Sequence, residues 1–336
     1  MQKTYTRMQP QSWQNQLASA IKNPRELLNH VGLDANSLGY TQTGIKQFPV
    51  RVPLAFASRM QQKNPDDPLL RQVFPYLDED RVDPAYTFDP LEEKQSLVGP
   101  GLLHKYHDRV LMISTSACAI HCRYCFRRHF PYEENRQSKL EWQQRYDYIK
   151  SNSDINEVIL SGGDPLSLAD HKLTDYLHTI CQIKHVKRIR IHTRFPIVIP
   201  DRITQSLFKT LKRTNKEIIF VLHINHANEI DENVSNSIAL MNKLGIMVLN
   251  QSVLLKGVND TTDCLIALSE KLIENRVTPY YLHMLDPVAG TTHFNVSEDE
   301  AINLIKTMQN KVSGYLIPKL VRENSDEKSK TAINLD

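Results

Sequence analysis

The sequence predicts an α/β protein: a partial (β/α)6 TIM-like barrel, open rather than closed, with a mostly helical N-terminal extension. Three observations carry that expectation. Short apolar runs alternate with amphipathic stretches at intervals of about thirty residues, the length of a strand, a helix and two loops. Polar residues gather at the C-terminal end of nearly every apolar run, which is where barrels of this architecture carry their sites. The beat starts only near residue 110, after a stretch of different character.

That leading stretch, residues 1–100, reads as a separate extension. Apolar residues recur at helical spacing in 13–21 and 24–31, and 53–60 opens a further short helix with Pro53 in its first turn. Asn64-Pro65-Asp66-Asp67-Pro68 and Asp89-Pro90 interrupt any long element. Packing or partner contact is expected of this region, and no chemistry. Residues 101–336 form the barrel, with strands expected at 110–115, 157–161, 188–193, 218–225, 247–253 and 279–285. Helices are expected near 137–150, 170–182, 202–212, 232–243, 262–275 and 298–312. Strands separated by helices pair in parallel. Six of them make an incomplete barrel.

Composition narrows the function classes. With 40% hydrophobic and 24% charged residues, the chain is an ordinary globular protein. A net charge of +3 with no basic run interleaved with aromatics gives no reason to expect nucleic acid. The N-terminus is polar, and no stretch reaches the roughly 18 apolar residues of a membrane span, so a cytoplasmic protein is expected.

The chemical signal is Cys118-Ala119-Ile120-His121-Cys122-Arg123-Tyr124-Cys125, directly after the first strand. Three thiols spaced C-x3-C-x2-C can wrap one inorganic centre. Cubane iron–sulfur clusters are normally held by four thiolates, so three leave one iron open to a ligand. A structural zinc site of three cysteines and a histidine is the alternative, with His121, His104 and His107 nearby. His121 lies between the cysteines, where reaching the same metal would be strained. Five cysteines is an odd count, which disfavours a disulfide framework. One unit later, Ser161-Gly162-Gly163-Asp164-Pro165 ends the second strand. It is either a plain turn or a place where glycine lets backbone amides approach an anionic or zwitterionic group.

Cys118-x3-Cys122-x-Tyr124-Cys125 followed by the GGDP turn resembles the radical S-adenosylmethionine (SAM) superfamily. The resemblance implies a [4Fe–4S] cluster on Cys118, Cys122 and Cys125 whose fourth iron chelates SAM, with Tyr124 near the adenine and Gly162 and Gly163 lining the methionine amine site. It also places Asp164, His223, Asn225 and Gln251 among the cofactor contacts. Cys125-Phe126-Arg127-Arg128, Asn250-Gln251-Ser252-Val253-Leu254-Leu255-x-Gly257-Val258-Asn259-Asp260, Pro279-Tyr280-Tyr281 and Ser313-Gly314-Tyr315-x2-Pro318 are similar to the lysine 2,3-aminomutase family. That family adds pyridoxal 5′-phosphate (PLP). Asn64-Pro65-Asp66-Asp67-Pro68-Leu69-Leu70-Arg71-Gln72-Val73 and Gly101-Leu102-Leu103-His104-Lys105-Tyr106 resemble the branch that makes (R)-β-lysine for elongation factor P.

The family match implies that Lys330 carries PLP as a Schiff base, since an amine can exchange the cofactor with the substrate amine. Lys328 and Lys319 are the alternatives, because Asn324-Ser325-Asp326-Glu327-Lys328-Ser329 replaces the glycines that usually precede this lysine. Tyr106 and Arg109 fall at the PLP site, Arg127 at the substrate carboxylate, and Asp286 and Glu323 at the substrate's distal ammonium. Glutamate at 323 replaces the family's aspartate. Thr261 stands where longer aminomutases have a zinc-ligand cysteine, and their C-terminal extension has no counterpart here, so neither zinc nor their oligomer contacts are expected.

The implied reaction uses a reducing electron donor and a 5′-deoxyadenosyl radical to move nitrogen from Cα to Cβ of lysine. Elongation factor P and its lysyl ligase are the implied functional partners, and a homo-oligomer is compatible with the chain. Two rivals remain: a metabolic aminomutase acting on free lysine, and a zinc-stabilised binding module that needs neither SAM nor PLP.

Overall fold

Short polar caps start four of the five helices of the extension. In the computed structural model, which describes residues 12–130 and 138–335, Ser12 caps α1 (Trp13–Ala18) and Asn23 caps α2 (Pro24–His30), each side-chain oxygen accepting from a first-turn amide. Thr41 does the same for α3 (Gln42–Gln47). After α4 (Leu54–Ala57), Asp67 accepts from two amides at the start of α5 (Pro68–Arg71). These helices do not form a core of their own. Leu27, Phe56 and Phe74 belong to one buried cluster with Leu160, Ile189, Phe220 and Ile238 of the barrel, and Trp13 meets Phe195 edge-on at 5.5 Å.

One sheet of ten strands follows, paired in chain order from one edge to the other. Strands β1 (Leu97–Gly99), β2 (Leu102–Tyr106) and β3 (Arg109–Thr115) are antiparallel neighbours. From β3 the pairing is parallel through β4 (Glu157–Gly162), β5 (Arg188–Thr193), β6 (Glu217–His223), β7 (Met247–Val253), β8 (Thr278–His283) and β9 (Lys319–Arg322). Strand β10 (Thr331–Ala332) closes the far edge antiparallel to β9. The first and last strands do not pair, so the barrel is open as expected.

Helices α6 (Lys139–Ser151), α7 (Asp170–Cys181), α8 (Phe195–Val198) with α9 (Gln205–Lys212), α10 (Glu232–Lys243), α11 (Thr262–Glu274) and α12 (Glu298–Lys311) fill the crossovers. The six expected strands are β3 to β8. Expected strands 218–225 and 279–285 end earlier, at His223 and His283. Beyond His223 the Ile224 amide donates 2.9 Å to the Asn250 side chain, which takes the place of a ladder bond.

Alternation along the strands decides what faces the interior. In β5, Ile189 and Ile191 are fully buried in the core, whereas Arg188, Arg190 and His192 line the central cavity. The same period places Arg109, Ser161, His223, Gln251 and His283 on the cavity wall. No helix among the described residues is long and apolar enough to cross a membrane.

Candidate active site

The barrel encloses a cavity of about 700 Å³ that all three cysteines of the loop line, together with Lys330, Arg127, Asp286 and Glu323. That volume suits a cofactor with its substrate. The cysteine loop is held by the extension: Arg51 donates to the Cys118 carbonyl at 3.0 Å, and the Arg123 amide donates to the Gln72 carbonyl at 2.8 Å. His121 is turned away. Its Nδ1 lies 2.6 Å from the Pro49 carbonyl, and its ring stacks on Phe48 at 4.7 Å. His104 Nδ1 is similarly engaged, 2.7 Å from the Tyr148 hydroxyl. His121 and His104 are thus engaged away from the thiols, so neither completes a Cys3His zinc site in this arrangement. Burial pushes the Cys118 thiol up and the Cys125 thiol to about 11. The protons then leave in exchange for metal.

The glycines of the GGDP turn serve close packing. A Cβ on Gly163 would stand 2.4 Å from the Ala117 carbonyl oxygen, and Gly162 has φ +113°. Two of the turn's amides are spent internally: the Gly163 amide donates to the Thr115 carbonyl at 2.7 Å and the Asp164 amide to the Ala117 carbonyl at 2.8 Å. Both glycines still line the cavity. The Asp164 carboxylate is likewise committed internally, accepting from Thr193 Oγ1 and the amides of Leu166, Arg194 and Phe195. It clamps β4 to β5.

Tyr124 sits beside the cysteines, its hydroxyl 2.9 Å from His223 Nε2 and its ring stacked on that imidazole at 5.6 Å. Burial, aided by the Arg194 cation, lowers His223 to about 3, so this imidazole is neutral. Asn225 is expected at the cofactor. It is fully buried and absent from the cavity wall, its amide donating to Gln72 and Tyr124 and accepting from the Val253 amide. Gln251 does line the cavity.

The other end of the cavity is a ring of charges. Lys330 Nζ donates to Glu323 at 2.6 Å, and the same carboxylate accepts from Lys105 at 2.9 Å and the Tyr106 hydroxyl at 2.6 Å. Burial acts to raise the Glu323 pKa, but Lys330, Tyr106 and Lys105 together pull it down to about 2. Of the three candidate lysines, only Lys330 lines the cavity; Lys328 and Lys319 are exposed. Arg109 pairs with Asp108 at 2.8 Å and lies 4.1 Å over the Tyr106 ring. Asp286 has no ion pair among the described residues. Burial, with repulsion from Glu323 and Glu93, lifts its carboxyl to about 7 against the pull of Lys330 and Arg127. His192 and His283, on the same wall, are held well below the usual imidazole range by burial.

Arg127, which lines the same cavity as Asp286, is already engaged: Glu93 accepts from its Nε at 2.8 Å and its Nη2 at 2.5 Å, and Ser161 accepts from Nη1 at 3.1 Å. Leu91 and Ser96 also line the cavity, so the extension does reach the site, contrary to expectation. Two arginine contacts had no signal in the local pattern. One is this Glu93 pair. The other is Arg194, whose Nη1 lies 2.7 Å from Cys122 Sγ and from the Tyr124 hydroxyl, while Nη2 reaches Gln72 and Glu229. Arg194 was visible only as one of the polar residues that end β5.

The cysteine loop follows the first parallel strand of an open barrel, and the radical SAM superfamily profile matches residues 112–263. Across 97% of its length the chain is 48% identical to the L-lysine 2,3-aminomutase of Escherichia coli (strain K12), covering 95% of that protein. It is 46% identical to the L-lysine 2,3-aminomutase of Buchnera aphidicola, over 97% of this chain and 96% of that one. The Clostridium subterminale L-lysine 2,3-aminomutase is 32% identical over 96% of this chain and 77% of its own. The chain belongs to the lysine 2,3-aminomutase family. It is therefore an isomerase of the radical SAM class that works with a [4Fe–4S] cluster, SAM and PLP.

Proposed function

We propose that this lysine 2,3-aminomutase converts L-α-lysine to (R)-β-lysine for the modification of elongation factor P. The observation that carries the substrate reading is the unpaired Asp286 carboxylate in the same cavity as Arg127, with Lys330 beside it. When bound, the cluster and SAM supply a hydrogen-abstracting radical and PLP supplies a carbonyl for the substrate amine.

The chain's own residues do the rest. Cys118, Cys122 and Cys125 hold the cluster, with Tyr124, Gly162, Gly163, His223 and Gln251 around the SAM. Arg127 offers a planar fork to the substrate carboxylate, and Asp286 receives the distal ammonium. Lys330 would hold PLP through its amine, and Glu323, 2.6 Å from that amine, would accept from the Lys330 ammonium whenever the link is open. Tyr106 and Arg109 serve the PLP side. The neutral imidazoles of His192 and His283 wall the site without adding charge, and enclosure keeps water from the reacting carbons.

The link to elongation factor P is supported by the 64–73 and 101–106 segments, which resemble the branch that serves that factor. An anaerobic assay of the reconstituted protein, offered free lysine and lysine already attached to the factor, tests the reading. Deleting the gene should also abolish β-lysine on the factor. Turnover of free lysine with the factor's modification intact after deletion would favour the metabolic alternative.

A further inference from the structure

Glu93 has the geometry of a built part of the site. It is buried, and its carboxylate spans the Nε–Nη2 edge of Arg127, with contacts of 2.8 Å to Nε and 2.5 Å to Nη2. The backbone around it is shaped to deliver that carboxylate. Glu92, just before it, is in the left-handed region at φ 49°, a conformation that a side chain such as glutamate adopts only when its surroundings impose it. The Glu93 amide is tied 3.1 Å to the Asp89 carboxylate, which anchors the turn. Ser161, at the end of β4, accepts from Nη1 at 3.1 Å.

A guanidinium has two edges that suit a carboxylate: Nε with one terminal nitrogen, and the two terminal nitrogens together. Glu93 takes the first, and the second is the edge that the functional reading gives to a substrate carboxylate. We propose that Glu93 is a positioning residue for substrate recognition: with Ser161 it locks the Arg127 plane so that the terminal edge meets the α-carboxylate of lysine. This rests on the functional reading given above and adds to it the group that orients the carboxylate receptor. Glu93 comes from the extension, so the extension sets part of the substrate specificity.

An alternative role for the same contact is a plug, in which Glu93 occupies Arg127 until a substrate carboxylate displaces it. The two roles predict opposite signs. Removing a positioning residue weakens binding of any ligand that carries the carboxylate, and removing a plug strengthens it. Neither role acts on the carboxylate-free end of a diamine, and the repulsion of Asp286 by Glu93 bears on both ligands alike, so the ratio of the two affinities isolates the carboxylate.

The test uses the chain reconstituted with cluster and PLP, titrated with lysine and separately with 1,5-diaminopentane, reading the visible absorption change of PLP. For E93A the lysine dissociation constant should rise about tenfold, the size of one lost charge-assisted orientation, while that of 1,5-diaminopentane should stay within about twofold. E93Q keeps one acceptor oxygen with little change of shape, so it covers the case in which E93A does not fold. It should weaken lysine by about threefold, again sparing the diamine. Equal losses for both ligands, or tighter lysine binding, would overturn the proposal. If the unsubstituted chain responds to neither amine, the functional reading itself fails and takes this inference with it.

Discussion

Asp286→Asn should stabilise the cofactor-free chain at neutral and alkaline pH while abolishing lysine turnover. Burial raises the Asp286 carboxyl from its ordinary 3.8 to about 7, with Glu323 and Glu93 adding repulsion and Lys330 and Arg127 opposing it. A carboxyl whose folded pKa exceeds its unfolded value binds its proton more tightly in the native state. Ionisation therefore removes stability as pH climbs from 3.8 to about 7, and the loss is complete above that. Roughly three pH units at 1.36 kcal/mol each give a ceiling of about 4 kcal/mol. The side chain opens onto the cavity, so water brings the real figure below that ceiling. Asparagine carries no such cost. Denaturant midpoints of both chains, measured at pH 5 and pH 8, should show a stability gap in favour of the variant that widens by about 2 kcal/mol between the two. Turnover should fall by about 100-fold or more, because the distal ammonium loses its counter-charge. A gap that stays flat with pH, or a variant less stable at pH 8, would refute the assignment of Asp286 as a carboxylate held without a cation.

Glu323→Gln should behave in the opposite sense. Its folded pKa lies at about 2 against an ordinary 4.5, so its stabilisation is present above 4.5 and fades as pH falls toward 2; the variant should cost up to about 3 kcal/mol at pH 7 and progressively less below pH 4 in the same denaturation assay. Lys330→Ala should leave no borohydride-reducible link to PLP on peptide mapping, whereas Lys328→Ala and Lys319→Ala retain it. Gly163→Ala drives a Cβ to 2.4 Å from the Ala117 carbonyl, one backbone against another; a stability loss of about 2 kcal/mol or more and weakened SAM binding by equilibrium dialysis are expected.

Pattern and spacing carried most of the barrel because each βαβ unit repeats one hydrophobic rhythm. Strands β3 to β8 and their helices lie within a few residues of where that rhythm puts them. The edges lay outside it: β1 is three residues long, β10 two, and both pair antiparallel, so neither has a crossover helix to announce it. Within the site, a polar residue at a strand end marks the rim but not the direction in which its side chain points. His223 and Asn225 share one strand end, yet one lines the cavity and the other is spent on Gln72, Tyr124 and Val253. Glu93 and Arg194 were hidden for another reason. Their roles arise from partners 34 and 72 residues away, brought close only by the fold.

Under the proposed reading, the charge arrangement favours a substrate that brings a distal amine. Arg127 has Glu93, Lys330 and Lys105 share Glu323, Arg109 has Asp108, and Arg188 and Arg190 share Glu157. Each of these six cations has a carboxylate partner, four carboxylates serving all six, whereas Asp286 has no ion pair among the described residues. An incoming ammonium supplies the missing partner and lets Asp286 ionise without its burial penalty. A monoamine acid without the distal nitrogen leaves that carboxyl protonated or uncompensated. Discrimination between lysine and norleucine should accordingly grow with pH up to about 7, where unpartnered Asp286 would otherwise ionise at full cost, and level off above it. Competition binding of the two amino acids at pH 6, 7 and 8 measures this directly, and a ratio independent of pH would place the ammonium receptor elsewhere.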